Sequence, residues 1–264
     1  MARRARLDVE LVRRGLARSR DEAAELVAAG QVHIDGQLAV KPATAVAAAT
    51  PIVVRRQEGA SYASRGGHKL AGALDAFGID PTGRRVLDAG ASTGGFTDVL
   101  LRRGARQVVA VDVGYGQLAW GLRNDSRVTV LDRTNVRELT LAMIGEPVEM
   151  VVADLSFIPL GKVLPALVAC STPDADVLPM VKPQFEVGRE RLPAGGVVRD
   201  PALRADAVSQ VAAQAAVLGL GVRGVTASPL PGPSGNVEFF LWRRRGAPPL
   251  AVEALAAAVA AGPE

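Results

Sequence analysis

Arg85-Val-Leu-Asp-Ala-Gly-Ala-Ser-Thr-Gly-Gly-Phe96 is the stretch whose reading decides the fold. A short apolar run ends in an acid, Asp88, and a loop of small residues follows. Thr97 to Arg103 (TDVLLRR) then resumes at helical spacing. The pattern predicts a strand, a tight turn and a helix N-terminus, the opening unit of nucleotide-binding α/β folds. Gly90, Gly94 and Gly95 let the backbone approach a ligand closely or take φ > 0. Their spacing is not the G-x-G-x-x-G of a dinucleotide site, and no G-K-[ST] makes a phosphate loop. Asp88 ahead of the glycines would repel a pyrophosphate. The loop suits instead a ligand carrying positive charge and a ribose, such as S-adenosylmethionine (SAM), or it is an ordinary strand-to-helix turn.

Downstream the chain alternates strand and helix. Strands are predicted at 86–88, 107–112, 128–131, 148–154 and 177–182. Helices are predicted up to 103, around 117–123, at 160–170 and at 202–218. Two last strands, 221–228 and 237–243, lie close enough in sequence to pair antiparallel. An Ala-rich helix over 250–261 would close the chain. Apolar runs between helical patterns argue a parallel sheet covered on both faces. The fold class expected is α/β with a seven-stranded, mostly parallel sheet, and seven strands ending in an antiparallel pair resemble the Rossmann-like methyltransferase architecture. Upstream, 70–77 predicts an amphipathic helix, and 57–64 (QEGASYAS) reads as a linker.

The chain has 264 residues, a net charge of +4, and charge that is unevenly placed. Seven arginines (3, 4, 6, 13, 14, 18 and 20) face only Asp8 and Glu10 within residues 1–20. A basic end on a neutral body suits docking to a polyanion, most often nucleic acid, although a solvated helix face gives the same pattern. One cysteine, Cys170, permits no internal disulfide, which fits a reducing cytoplasm. With His33 and His68 as its histidines, the chain has no zinc-site spacing, and no metal is expected. No apolar run approaches the roughly 18 residues of a membrane helix.

The N-terminal segment predicts two short helices, 9–14 and 20–29, the second capped by Ser19 with Glu22 three residues on. Strands follow at 31–34, 38–40 and 51–55, the first two joined by an Asp35-Gly36 turn. This α+β module, 1–58, resembles the S4 RNA-binding domain in Arg13-Arg14-Gly15-Leu16-Ala17-Arg18-Ser19-Arg20, Ala23, Gly30 to Gly36 and Lys41-Pro42. A protein-binding module is the alternative. The resemblance implies RNA contacts through Arg3, Arg4, Arg6, Arg14, Arg18, Arg20 and Lys41, joined by Arg65 beyond the 59–64 linker. The catalytic unit would span 65–264.

If the first strand holds SAM, the second should end in an acid that accepts the ribose hydroxyls, and Asp112 ends VVAVD. Asn135, just past the third strand, is a candidate for the adenine edge, with Asp132 as a competitor. Asp154 ends the fourth strand, where Asn-Pro-Pro-Tyr or Asp-Pro-Pro-Trp would mark a base methyltransferase and neither occurs. Lys182 closes a Val-rich strand, an unusual place for a lysine unless it is paired or functional. Singly, Lys69 and Glu238 read as surface charges.

Together, Lys69, Asp154, Lys182 and Glu238 resemble the K-D-K-E tetrad of the FtsJ-like ribose 2′-O-methyltransferases. Ser64 to Leu70, Asp88 to Thr97, Asp112 to Leu118, Val181 to Glu186 and Ser228 to Glu238 are similar to the TlyA family. The resemblance implies SAM-dependent methylation of cytidine 2′-OH groups in ribosomal RNA, on both the small and the large subunit, by a cytoplasmic monomer. It also implies that the modification sensitises ribosomes to capreomycin-type antibiotics, as in mycobacterial members. The donor cradle would be Asp88, Gly90, Ala91, Ser92, Thr93, Gly94, Phe96, Asp112, Val113, Asn135 and Asp154. Lys182 would act on the 2′-OH with Asp154 orienting it, and Lys69 and Glu238 would position the ribose. The loop 184–200 is either a lid over the RNA or a plain surface loop. The alternatives are a base or small-molecule methyltransferase, a hemolysin-like membrane-active protein and a non-catalytic RNA-binding factor.

Overall fold

A computed structural model describes residues 4–17, 20–28, 30–54 and 62–263, and among these the side chains of Asp21 and Glu25 are not described. The chain divides into two units, Met1–Ser61 and Tyr62–Glu264. Arg3, Arg18 and the Ser19 cap lie outside the described residues, as does the linker up to residue 61.

In the first unit, helices Leu7–Arg13 and Arg20–Ala28 pack Leu7, Leu11, Ala23 and Val27 into a small core with Val32 and Val46. Val32–Ile34 is the middle strand of a three-stranded antiparallel sheet, between Gln37–Leu38 and Ile52–Val54. Asp35 (φ 48°) and Gly36 (φ 81°) make the tight turn, the conformation that favours Asp-Gly in hairpins. A second ribbon was not expected from the sequence: Arg4–Arg6 pairs antiparallel with Ala45–Ala47.

The second unit is built on a seven-stranded sheet. Its strands are β1 (Arg85–Ala89), β2 (Gln107–Val111), β3 (Val128–Leu131), β4 (Val148–Ala153), β5 (Ser171–Val181), β6 (Leu220–Ala227) and β7 (Phe239–Arg245). The order across the sheet is β6-β7-β5-β4-β1-β2-β3. Only β7 runs against its neighbours. Alternate side chains serve opposite faces, as a strand's two-residue period requires. Leu87, Val109 and Val151 join Leu164, Val208 and Leu255 on one side. Val86, Val108 and Met150 join Leu70, Leu74, Val99 and Leu100 on the other. β1 and β4 are adjacent, and the chain turns opposite ways from them, so a crevice opens at their carboxyl ends.

The seven predicted strands all form, with boundaries shifted by a few residues. The predicted 160–170 helix divides into a 3-10 turn, Leu160–Lys162, and a helix, Leu164–Ala169, with Pro165 in its first turn. Cys170 is the buried cap of that helix. The strand predicted at 177–182 begins six residues earlier, at Ser171, with a register shift between Ser171 and Asp176. Asp200 caps the long helix Pro201–Ala216 by accepting from Ala202 N at 2.8 Å.

Candidate active site at the carboxyl edge of the sheet

The loop after β1 is held by its own backbone and by its neighbours. Gly90 N–H donates to Val111 O at 2.8 Å, and Gly94 N–H to Ala91 O at 2.8 Å. Gly90 (φ 87°) lies against the backbone of Asp154, where a Cβ would collide with the Asp154 carbonyl. The two strand ends can meet only because that side chain is missing. Ser92, itself at φ 48°, donates its N–H to Asp112 Oδ2 at 2.8 Å. Gly114 N–H donates to Asp112 Oδ1 at 2.7 Å. Asp112 is thus oriented at the end of β2, and each oxygen keeps acceptor capacity.

Asp88 is fully buried, and its Oδ2 accepts from Thr97 Oγ1 at 2.6 Å. Its Oδ1 is buried without a partner. Burial pushes the carboxyl up to about 7; the Thr97 hydrogen bond opposes this and Asp154 adds to it. Ala91 packs with Ala110 and Leu118 on the loop's inner side, while Val113 is exposed. Thr93 O accepts from Ala119 N at 3.2 Å. Phe96 is buried 6.0 Å from the Phe240 ring, beneath the crevice rather than in it. Asn135 is exposed, and its Oδ1 caps the 3-10 turn Val136–Glu138 by accepting from Arg137 N at 3.1 Å. Asp132 pairs with Arg123.

The four charged candidates form two ion pairs. Lys69, in the first turn of helix Gly66–Phe77, meets Glu238 just ahead of β7. Lys182, just past β5, has Nζ 2.6 Å from Asp154 Oδ1, just past β4. The same ammonium donates to Ser156 Oγ at 2.9 Å. Burial raises the Glu238 carboxyl above its ordinary value. Lys69 and then Lys182 oppose that shift, and Asp154 reinforces it, so the two pairs share one field.

Three residues beside these pairs were given no role of their own in the sequence reading. Glu186 is buried in the short helix Pro183–Glu186, where its Oε1 accepts from Leu160 N at 2.9 Å. Its Oε2 has no partner, and burial pushes it up to about 7. Asn236, two residues before Glu238, accepts from Val198 N at 2.9 Å and donates to Gly196 O at 3.0 Å. The 196–198 part of the proposed lid is therefore anchored. Phe157 is 90% exposed at φ 64°, with its ring 5.2 Å from that of Phe185. A Phe three residues after Asp154 and a Glu four residues after Lys182 were the signals available.

In the first unit, Arg6 and Arg20 both donate to the buried Asp8, at 2.9 and 3.1 Å, and remain largely exposed themselves. Arg14 is spent internally on Glu10 and on the carbonyls of Ala47, Ala48 and Thr50. Arg4, Lys41 and Arg65 are exposed. Among the described residues, no cluster of His, Cys, Asp and Glu could hold a metal, and no helix is long and apolar enough to cross a membrane.

Comparison with known proteins bears on both units. Residues 62–245 match the FtsJ-like methyltransferase family, and residues 5–49 match the S4 domain. A Mycobacterium tuberculosis protein named 16S/23S rRNA (cytidine-2'-O)-methyltransferase TlyA is 66% identical over 244 residues, covering 92% of this chain and 91% of that protein. Hemolysin A of Brachyspira hyodysenteriae is 34% identical over 236 residues, covering 89% of this chain and 98% of its own. A solved structure from Streptococcus thermophilus, provisionally titled a hemolysin, superposes with a TM-score of 0.78 at 36% identity, covering 98% and 96% of the two chains.

Proposed function

The chain belongs to the FtsJ-like methyltransferase family and carries an S4 domain, and from that premise we propose that it transfers a methyl group to cytidine 2′-OH groups of ribosomal RNA. The methyl donor in this reading is SAM, and the substrates are both the 16S and the 23S molecule, in the cytoplasm, with the protein acting as a monomer. The observation that carries the reading is the Lys182–Asp154 pair beside the Lys69–Glu238 pair, on the same sheet edge as the loop after β1.

The residues at that edge fit the donor. Asp112 presents an oriented carboxylate to a ribose, and the orphaned Asp88 Oδ1 gives a cation a buried acceptor. Ser92, Thr93 and Val113 border the same crevice. Asn135 is spent on a helix cap, so any adenine contact from it would compete with that bond. SAM bound there supplies an electrophilic methyl group whose departure leaves a neutral thioether.

The protein's part is to align the acceptor and manage its proton. Lys182 is held by Asp154 and Ser156 with its ammonium at the crevice. It would hydrogen-bond the ribose 2′ oxygen and stabilise its developing negative charge as the new carbon–oxygen bond forms, with the hydroxyl proton passing to solvent, while Asp154 fixes the lysine's direction. Lys69 and Glu238 set the field around it and position the ribose. The exposed ring of Phe157 suits a nucleobase face, which favours an RNA acceptor over a small molecule. The basic face of the first unit, with Arg6 and Arg20 aimed by Asp8, would grip the phosphates.

The test is incorporation from labelled SAM into unmodified small and large ribosomal subunits, assayed separately. Label in both RNAs is expected. Label in neither, or only in protein, would overturn the reading. The hemolysin reading predicts leakage of RNA-free liposomes, and nothing in the site's geometry favours it.

A further inference from the structure

The second unit holds a cavity that methyl transfer does not use. It measures about 450 Å³ and lies among helix Pro201–Ala216, the start of β6, the end of β7 and helix Val252–Ala260. That size falls within the range of small-molecule sites. Ala212, Ala216, Leu220, Val222 and Leu255 make much of its wall apolar. Arg243 also lines it and is 0% exposed. The register of β7 sets Arg243 opposite Val177, whereas Phe239 lies opposite Val181, next to Lys182. Four residues of strand, roughly 13 Å, therefore separate this arginine from the catalytic edge.

Arg243 is a buried cation whose partners are all neutral. Its Nη1 donates to Val211 O at 3.2 Å, and its Nη2 to Ala212 O at 2.9 Å and to Leu220 O. Its Nε is buried with no acceptor. Burial pushes the guanidinium down to about 10, and no neighbouring charge opposes the shift. It therefore stays protonated near neutral pH. Carbonyl dipoles satisfy three of its four terminal N–H groups without supplying the counter-charge that a buried ion requires. A second cation stands at the rim: a Cβ placed on the lining residue Gly219 would lie 3.6 Å from Arg245 Nη1.

An apolar wall, a buried cation with two of its five N–H groups unused and a cation at the rim define an amphipathic anion. We propose that this cavity binds a small molecule with an apolar body and a single carboxylate, the carboxylate pairing with Arg243. The apolar body covers the Ala and Leu side chains. The carboxylate accepts from the guanidinium and neutralises it, a charge-assisted bond stronger than a neutral one. A neutral apolar ligand leaves Arg243 uncompensated.

Octanoate and octanamide are close in shape and differ in charge. Each is titrated calorimetrically into the full-length protein. Octanoate should bind about tenfold tighter or more, because only it forms the charge-assisted bond. Ala216→Trp puts a ring into the cavity from an exposed lining position and should weaken octanoate by about as much or more. Arg243→Met should bring the two ligands to equal affinity, and the comparison on the unaltered protein holds even if that variant does not fold. Equal affinities on the unaltered protein, binding of neither ligand at millimolar concentration, or octanoate binding that Ala216→Trp leaves intact would each overturn the proposal.

Discussion

Lys69 Nζ lies 2.5 Å from Glu238 Oε2, joining two positions 169 residues apart in sequence. Both side chains are almost wholly enclosed, at 8% and 1% exposure. Gly232 closes over the pair's far side, where a Cβ would stand 2.7 Å from Glu238 Oε1. Such a pair repays its desolvation only while both partners are present.

Glu238→Ala should therefore destabilise the protein by about 3 kcal/mol, because Lys69 is left buried and uncompensated. The double variant Lys69→Met with Glu238→Leu should recover much of that loss in urea unfolding, yet remain inactive in methyl transfer. A single variant no less stable than the double would show that the pair is not a coupled unit.

Asp88 holds its proton up to about 7, and a cationic ligand placed at the crevice would pull that proton off. Binding of SAM near pH 7 should release about half a proton, read from calorimetry in buffers of different ionisation enthalpy. The release should vanish by about pH 9, where Asp88 is already ionised. No release anywhere between about pH 6 and 8 would remove Asp88 from the donor site.

Glu186 titrates from 4.5 in its ordinary state up to about 7 in the folded protein, through burial. The folded state thus binds more protons than the unfolded chain between those values. Its contribution is complete below about pH 4.5 and is lost as pH rises through about 7. Glu186→Gln should remove about 3 kcal/mol of that fall in stability. An unchanged stability-against-pH curve would contradict the buried, protonated Glu186.

In the S4 domain the arginines divide by partner. Arg14→Ala should lower the unit's stability by about 2 kcal/mol, since it breaks a bond to the buried Glu10 and several to backbone carbonyls. Arg6→Ala, Arg20→Ala and Lys41→Ala should leave folding intact and weaken RNA binding, each lowering the salt-dependence slope by about 1. A slope unchanged by all three would place the RNA elsewhere.

The β1 loop, the strand alternation and the final antiparallel pair were legible because each carries a local signal: small residues after an acid, Val-rich runs, and two adjacent apolar segments. The ribbon between Arg4–Arg6 (RAR) and Ala45–Ala47 (AVA) was not, since three residues are too few for a two-residue period to stand out. The early start of β5 was hidden for a similar reason. Ser171 to Asp176 reads as a polar turn, and its extension is stabilised by distant partners: Arg84 and Trp242 hydrogen-bond Asp176 at 2.6 and 2.7 Å.

Of the site, the sequence singled out four charged residues and set Asp154 beside Lys182, but not Lys69 beside Glu238. Lys69 with Glu238 and Lys182 with Asp154 are tertiary facts. Asn135 illustrates the opposite case. A residue chosen for its position past β3 has a local task, capping the turn that follows it. Glu186, Asn236 and Arg243 were assigned no role because burial, which makes each informative, is invisible in the chain.

The most direct measurement maps where the methyl group goes. Unmodified ribosomal subunits are treated with labelled SAM and either the native protein or Lys182→Ala, and the RNA is hydrolysed in alkali. The account predicts alkali-resistant, 2′-O-methylated cytidines with the native protein. It predicts a loss of rate of about a hundredfold or more with the variant, as expected for a residue that stabilises charge or handles a proton at the acceptor oxygen. Label on bases, or undiminished transfer by Lys182→Ala, would contradict it.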